Sequence, residues 1–282
     1  MIVSDVQVHL WEAETPDKPW WPFSRKPHKP NGFGVAEMLA EMKTAGVDRA
    51  VIVPPTWTGD SNDYALGIAA RDPNRFAVVG RFNPKAPDAS AQLDGWLKQP
   101  HMLGVRMSFH TKPYSDWLDD GSLGWFWAKC ERNKIPVMAL VPGMIRKLFA
   151  VAERHPDLKI LIPHMACVLD AKGADAFRDI EELAALARHP NVVVNVSSAP
   201  CFSKEPYPFR DVAPYLRRIY DAYGPRRMLW GADLSRLTST YKECLEQFSR
   251  GLDFLSATDK EWILGKTLAE VLNWPEPRAA VR

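Results

Sequence analysis

The chain has 282 residues, 46% of them hydrophobic, and a formal net charge of +2. That length suits one large α/β barrel or two smaller domains, and the balanced charge gives no footprint for a nucleic-acid partner. No apolar run approaches the roughly 20 residues that cross a bilayer, so no membrane partner is expected.

Continuous apolar, β-branched runs lie at 2–9, 49–54, 76–82, 103–109, 136–141, 159–164, 191–197 and 227–232. Amphipathic stretches separate them at 35–45, 62–71, 89–98, 122–133, 144–154, 174–188, 211–222 and 241–252, and a last one covers 259–273. Short runs such as Ala50-Val51-Ile52-Val53 fit a parallel sheet buried on both faces. Eight strand-then-helix units predict a (β/α)8 TIM barrel, an α/β fold read as a single domain over 1–282. A doubly wound open sheet is the alternative, weakened by the lack of a GxGxxG turn after the first strand. The one long irregular insertion, 12–34, follows strand one. Its Trp20-Trp21-Pro22-Phe23 cluster is expected to fold over the substrate mouth. Cys130, Cys167, Cys201 and Cys244 are widely spaced and read as reduced, buried thiols. With no signal-peptide pattern at the start, a cytoplasmic protein is expected.

Catalytic groups of a barrel come from the C-terminal ends of its strands. Strand one carries Asp5, Gln7 and His9 at alternate positions, so all three are expected on one face, opposite Val6, Val8 and Leu10. Strand four contributes Arg106, Ser108 and His110. Strand six ends at His164, strand seven at Ser197-Ser198 and strand eight at Asp233. Plainer readings stand beside these: His164 as a cap on its strand end, Asp233 as the N-cap of a following helix, His9 as a core histidine. Arg106 leaves a buried strand, where an unpaired guanidinium is costly, so it needs an anionic partner from the protein or from a substrate. His110, Arg81 and Tyr114 are secondary candidates. His28, His101, His155 and His189 are expected to be solvated. Ser197-Ser198 lacks a GxSxG elbow, which argues against a serine nucleophile.

Asp5-x-Gln7-x-His9, Gly104-Val105-Arg106, Pro163-His164-Met165 and Trp230-Gly231-Ala232-Asp233, in that order, resemble the amidohydrolase superfamily. The nearest branch is the amidohydrolase-2 group, which includes sugar lactonases and the lactonase acting on pyrone dicarboxylate. The resemblance implies DxHxH on strand one, a further His on strand five or six, and an Asp on strand eight. Those residues hold one or two divalent metals, or act without metal. This chain departs from that pattern: Gln7 replaces the first His, and strand five ends Leu140-Val141-Pro142 with no ligand. Gln7 is a weak donor to a transition metal, so no cofactor is favoured. One divalent cation, zinc or manganese, on His9, His164 and Asp233 is the alternative.

By this resemblance the chain is a hydrolase that opens a small carboxylated lactone, in aromatic-compound catabolism. Asp233 is the expected general base on water, with His164 and His9 orienting that water or stabilising the oxyanion. Gln7 would orient the substrate, Arg106 would clamp its carboxylate, and Trp20, Trp57 and Tyr114 would line an aromatic mouth. The alternatives are a metal-dependent amidohydrolase, a non-oxidative decarboxylase of an aromatic acid, and a non-catalytic binding barrel in which Gln7 records lost activity. The expected partner is a small-molecule substrate, and a homo-oligomer stays open.

Overall fold

The computed structural model describes residues 1–21, 29–110, 112 and 114–274. Its eight-stranded sheet contains β1 Ser4–Val8, β2 Arg49–Ile52, β3 Phe76–Arg81, β4 Met102–Ser108, β5 Val137–Leu140, β6 Ile160–Ile162, β7 Val192–Ser197 and β8 Met228–Gly231. Each strand pairs in parallel with the next, in chain order. Helices α1 Val35–Ala45, α2 Asp63–Arg71, α3 Ala89–Gly95, α4 Gly124–Arg132, α5 Phe149–Arg154, α6 Ile180–Leu186, α7 Ala213–Tyr223 and α8 Tyr241–Glu246 follow the strands in turn. This is the expected (β/α)8 barrel.

Alternation within the strands builds two apolar layers. Val51, Val53, Ala77, Val79, Met138, Leu161, Val193 and Leu229 pack together inside the barrel, above a floor of Leu268, Leu272 and Trp274. Their neighbours Ala50, Ile52, Val78, Val105, Val137, Ile160 and Val194 face the helices. Both faces of every strand are thus buried, which is why these segments read as continuous apolar runs. The expected last helix at 259–273 is interrupted. It runs as α9 Ala257–Glu261, a π-helical turn at Trp262–Lys266 and α10 Thr267–Val271. The turn lays Gly265 against the Ile2 carbonyl, where an added Cβ would come within 2.1 Å of the oxygen.

Strand one departs from the expected alternation. Its register against β2 shifts between Asp5 and Val8, a local irregularity of the bulge type. Val6 therefore joins the interior layer, while Val8 and Leu10 face the helices. Gln7 and His9 face the mouth. Asp5 does not: its carboxylate lies at the seam where β1 meets β8. There it accepts from the Gln7 N–H (2.8 Å), the Ala232 N–H (3.0 Å) and the Tyr241 hydroxyl (2.8 Å). The Asp233 N–H donates to the Gln7 carbonyl at 3.1 Å across the same seam.

The insertion after β1 is anchored by an antiparallel pair, Trp11–Glu12 with Gly32–Phe33. The Trp21 N–H donates to the Trp57 carbonyl at 2.8 Å, tying the insertion to the loop after β2. Pro22, Phe23 and His28, singled out in the sequence, lie outside the described residues.

Close approach at the seam requires glycine at 231. A Cβ there would sit 2.8 Å from Asp5 Oδ1 and 2.9 Å from Val6 Cγ1, tighter than atoms pack. Gly231→Ala should lose about 1–3 kcal/mol, the usual penalty for overpacking a filled core. Urea unfolding at neutral pH would show it as a lowered midpoint with unchanged slope.

Candidate active site

Three strands leave the barrel through left-handed backbone. His164 after β6 has φ 53°, Ser198 after β7 has φ 58° and Asp233 after β8 has φ 48°. Such conformations in non-glycine residues are uncommon and cluster where a side chain must be aimed. Asp233 caps no helix, since α8 begins eight residues later with Thr240 as its own cap.

The aimed groups meet. His164 Nε2 lies 3.3 Å from Asp233 Oδ2, and His9 Nε2 lies 3.4 Å from Asp233 Oδ1. Gln7 Nε2 is 3.3 Å from His9 Nε2, 3.3 Å from His164 Nε2 and 3.2 Å from Asp233 Oδ2. On its other side, Gln7 Oε1 accepts from Arg106 Nη1 at 3.0 Å. Guanidinium has donors only, so this bond fixes which end of the amide is oxygen. Ser235 completes the cluster with a 2.7 Å hydrogen bond to Asp233 Oδ1.

Hydrogen bonding also fixes the His9 tautomer. His9 Nδ1 lies 2.6 Å from the Val53 carbonyl, which can only accept, so Nδ1 carries the proton. His164 Nδ1 lies 2.9 Å from Ser197 Oγ and 3.2 Å from Ser198 Oγ. The Ser198 proton goes to the Ala232 carbonyl, while Ser197 Oγ accepts from the His164 backbone N–H at 3.2 Å and can donate its own proton to His164 Nδ1. The His9 Nε2 lone pair points at the centre, and His164 Nε2 lies beside it. Burial pushes the His164 imidazole down to about 3, and burial also lowers His9. Each ring is neutral near pH 7. Burial raises Asp233, whereas His9 and His164 in their protonated forms, Arg236 and the Ser235 hydroxyl lower it, and the carboxyl sits below its ordinary value.

The same mouth is lined by Trp57, Arg81, Ser108, His110 and Arg236. Arg81 and Arg106 are direct register partners on neighbouring strands. Their Cα atoms lie about 4.8 Å apart along the sheet, and like charges on directly opposed residues are unfavourable until an anion lies between them. Arg81 has Asp60 beside it at 3.7 Å, but its buried Nε has no hydrogen bond among the described residues. Burial lowers Arg106 to about 9, with Asp233 opposing that shift and Arg81 adding to it.

Of the expected site residues, His9, His164, Asp233, Gln7, Arg106 and Trp57 converge. Trp20 and Tyr114 do not line this mouth. Trp20 lines a neighbouring cavity with Trp11 and Tyr64. Tyr114 lies edge-on against Trp117 at 4.9 Å. His155, expected to be solvated, is half-buried and pairs with Glu131 at 2.8 Å. Arg236 and Ser235 were missed, since they lie in an irregular turn beyond β8 with no periodicity to flag them.

Two imidazoles and a carboxylate are a known zinc ligand set. Their fourth neighbour here is the NH2 end of Gln7, which offers protons and no lone pair, backed by the Arg106 charge. Among the described residues no group of three or more His, Cys, Asp or Glu is placed to hold a metal. The donor set does not fit a resident dication with Gln7 in place.

A parallel barrel carrying an acid, two neutral imidazoles and buried arginines at its C-terminal rim has the form of a TIM-barrel hydrolase. The Amidohydrolase family model matches residues 4–274, and the chain belongs to that family of enzymes. It is 30% identical over 241 residues to an L-fucono-1,5-lactonase of Burkholderia ambifaria, covering 84% of this chain and 82% of that one. It is 27% identical to a 4-sulfomuconolactone hydrolase of Hydrogenophaga intermedia, over 81% of this chain and 73% of that protein. An amidohydrolase of Burkholderia multivorans with bound zinc superposes with a TM-score of 0.82 at 20% identity, covering 98% of this chain and all of that one.

Linkage gives the sign of a pH effect. His164 takes up a proton at an ordinary value near 6.5 when unfolded but only near 3 when folded. Between those values the unfolded chain binds more protons, so stability falls as pH drops from about 6.5 toward 3. Asp5, raised to about 7 in the folded chain, works in the opposite direction over the same range, so a variant must separate the two. The urea midpoint of the native protein relative to His164→Gln should fall as pH drops from 7 to 5.

Proposed function

We propose that this enzyme hydrolyses a small carboxylated lactone, with Asp233 as general base. The observation that carries this reading is the ionised Asp233 carboxylate beside two neutral imidazoles, in a mouth that also holds the Arg81–Arg106 pair. Two relatives named for lactone hydrolysis support the bond type. A base with a lowered value and no metal-polarised carbonyl suits a lactone, whose ester carbonyl is electrophilic and whose ring oxygen leaves readily.

Asp233 accepts a proton from water, and the water oxygen bonds to the lactone carbonyl carbon. Neutral His9 accepts a hydrogen bond at Nε2 and so orients the attacking water, with His164 beside it. Gln7 and Arg106 are donors near the oxyanion. Collapse breaks the ring C–O bond, and the proton held by Asp233 passes to the departing oxygen. No step requires a metal.

The arginine pair favours an anionic lactone over a neutral sugar lactone. A carboxylate or sulfonate bridging Arg81 and Arg106 relieves their mutual repulsion and takes charge-assisted hydrogen bonds from both. Trp57 supplies an apolar wall, edge-on to Trp11 at 5.2 Å. A flat, ring-cleavage lactone bearing a carboxylate matches these features.

Asp233→Asn should lower kcat by about 10²–10⁴-fold, the usual worth of a positioned base, with near-native circular dichroism. Normal turnover would place the base elsewhere. Arg81→Met should raise KM for a carboxylated lactone about 10- to 100-fold, as expected for a lost hydrogen bond to a charged group. KM for an uncharged lactone should not change.

A further inference from the structure

Three ligand-type groups crowd one point at the barrel mouth: two imidazole Nε2 atoms and a carboxylate, with separations of 3.3 and 3.4 Å from the rings to Asp233. The His9 Nε2 lone pair and the Asp233 carboxylate both accept, so a donor must lie between them. In this chain the group within hydrogen-bond reach of all three is the Gln7 NH2, at 3.2–3.3 Å from each. These are hydrogen-bond lengths, far beyond the roughly 2.0–2.2 Å of a zinc–ligand bond.

We infer that the Gln7 amide, held by Arg106, is a hydrogen-bonding substitute for a metal ion, and that this one side chain keeps divalent cations out of the site. Two features make it a stable substitute. Arg106 pulls on Oε1, which polarises the amide and strengthens its N–H groups as donors. Arg106 also blocks the amide flip that would present oxygen to a cation, because a flipped NH2 would face guanidinium donors. The Nδ1 atoms are tied on the far side, His9 to the Val53 carbonyl and His164 to the Ser197 and Ser198 hydroxyls, so neither ring can rotate to relieve the crowding. Both Nε2 atoms thus stay in position for a metal that Gln7 displaces. Replacing Gln7 by a ligand of similar reach completes a tetrahedral donor set. Gln7→His adds a third imidazole, and Gln7→Glu adds an oxygen ligand that still accepts from Arg106. The inference concerns metal occupancy and holds whichever bond the enzyme cleaves.

The test reads metal, not turnover. Purified native protein, Gln7→His and Gln7→Glu are each incubated with cobalt(II) and desalted over chelator-washed resin. Metal is then counted by inductively coupled plasma mass spectrometry. The native protein should retain no cobalt above the buffer blank. At least one variant with a native circular dichroism spectrum should retain about one ion per chain, with the visible absorption of tetrahedral cobalt. Stoichiometric cobalt on the native protein overturns the inference, whatever the variants do. So do two folded variants that both come through empty.

Discussion

The two ends of the chain must meet before any site exists, and one buried carboxylate makes them meet. Asp5 accepts hydrogen bonds from the Gln7 backbone, the Ala232 backbone and the Tyr241 hydroxyl. Those donors belong to β1, to the exit of β8 and to α8. Gln7 and Asp233, 226 positions apart in sequence, are each beside an atom that Asp5 holds. Burial pushes Asp5 up to about 7, while its three hydrogen bonds pull the other way. A carboxylate so enclosed must keep its donors, and that requirement fixes the register of the seam. Gly231, whose missing Cβ makes room for Asp5 and Val6, is part of the same constraint.

From that seam the charge arrangement follows. The mouth holds three arginines and one ionised acid, Asp233, with three histidines kept neutral because burial disfavours their charged form. In the mechanism proposed above, the imidazoles serve the water, and guanidinium and amide serve the developing anion. The positive balance of the lining is what favours, in that proposal, a substrate bringing its own negative charge. Arg106 on β4 would then serve both binding and reaction, between Arg81 on β3 and the groups on β1, β6 and β8.

Much of this was legible in the sequence. Buried parallel strands need continuous β-branched runs, and those marked all eight strands within a few residues. Polar residues at apolar strand ends have few structural uses, so His9, His164, Arg106 and Asp233 stood out. Strict alternation failed at β1, because a bulge leaves no trace in residue type; it turned Asp5 from the expected site face to the seam. The final helix was read as continuous because its apolar spacing persists through the π turn at Trp262–Lys266. Trp20 and Tyr114 were assigned to the mouth by composition alone, and loop residues go where tertiary packing sends them. The pairing of Arg81 with Arg106 depends on the β3–β4 register, which one strand's sequence does not contain.

The central claim is that both active-site imidazoles are neutral at pH 7 around an ionised Asp233, with His9 protonated at Nδ1 and bare at Nε2. Long-range ¹H–¹⁵N correlation spectra of selectively ¹⁵N-histidine-labelled protein read this directly. The account predicts neutral-ring shifts for His9 and His164, assigned by single substitution, and the Nδ1–H tautomer at His9. An imidazolium at either residue, or an Nε2–H tautomer at His9, would contradict it.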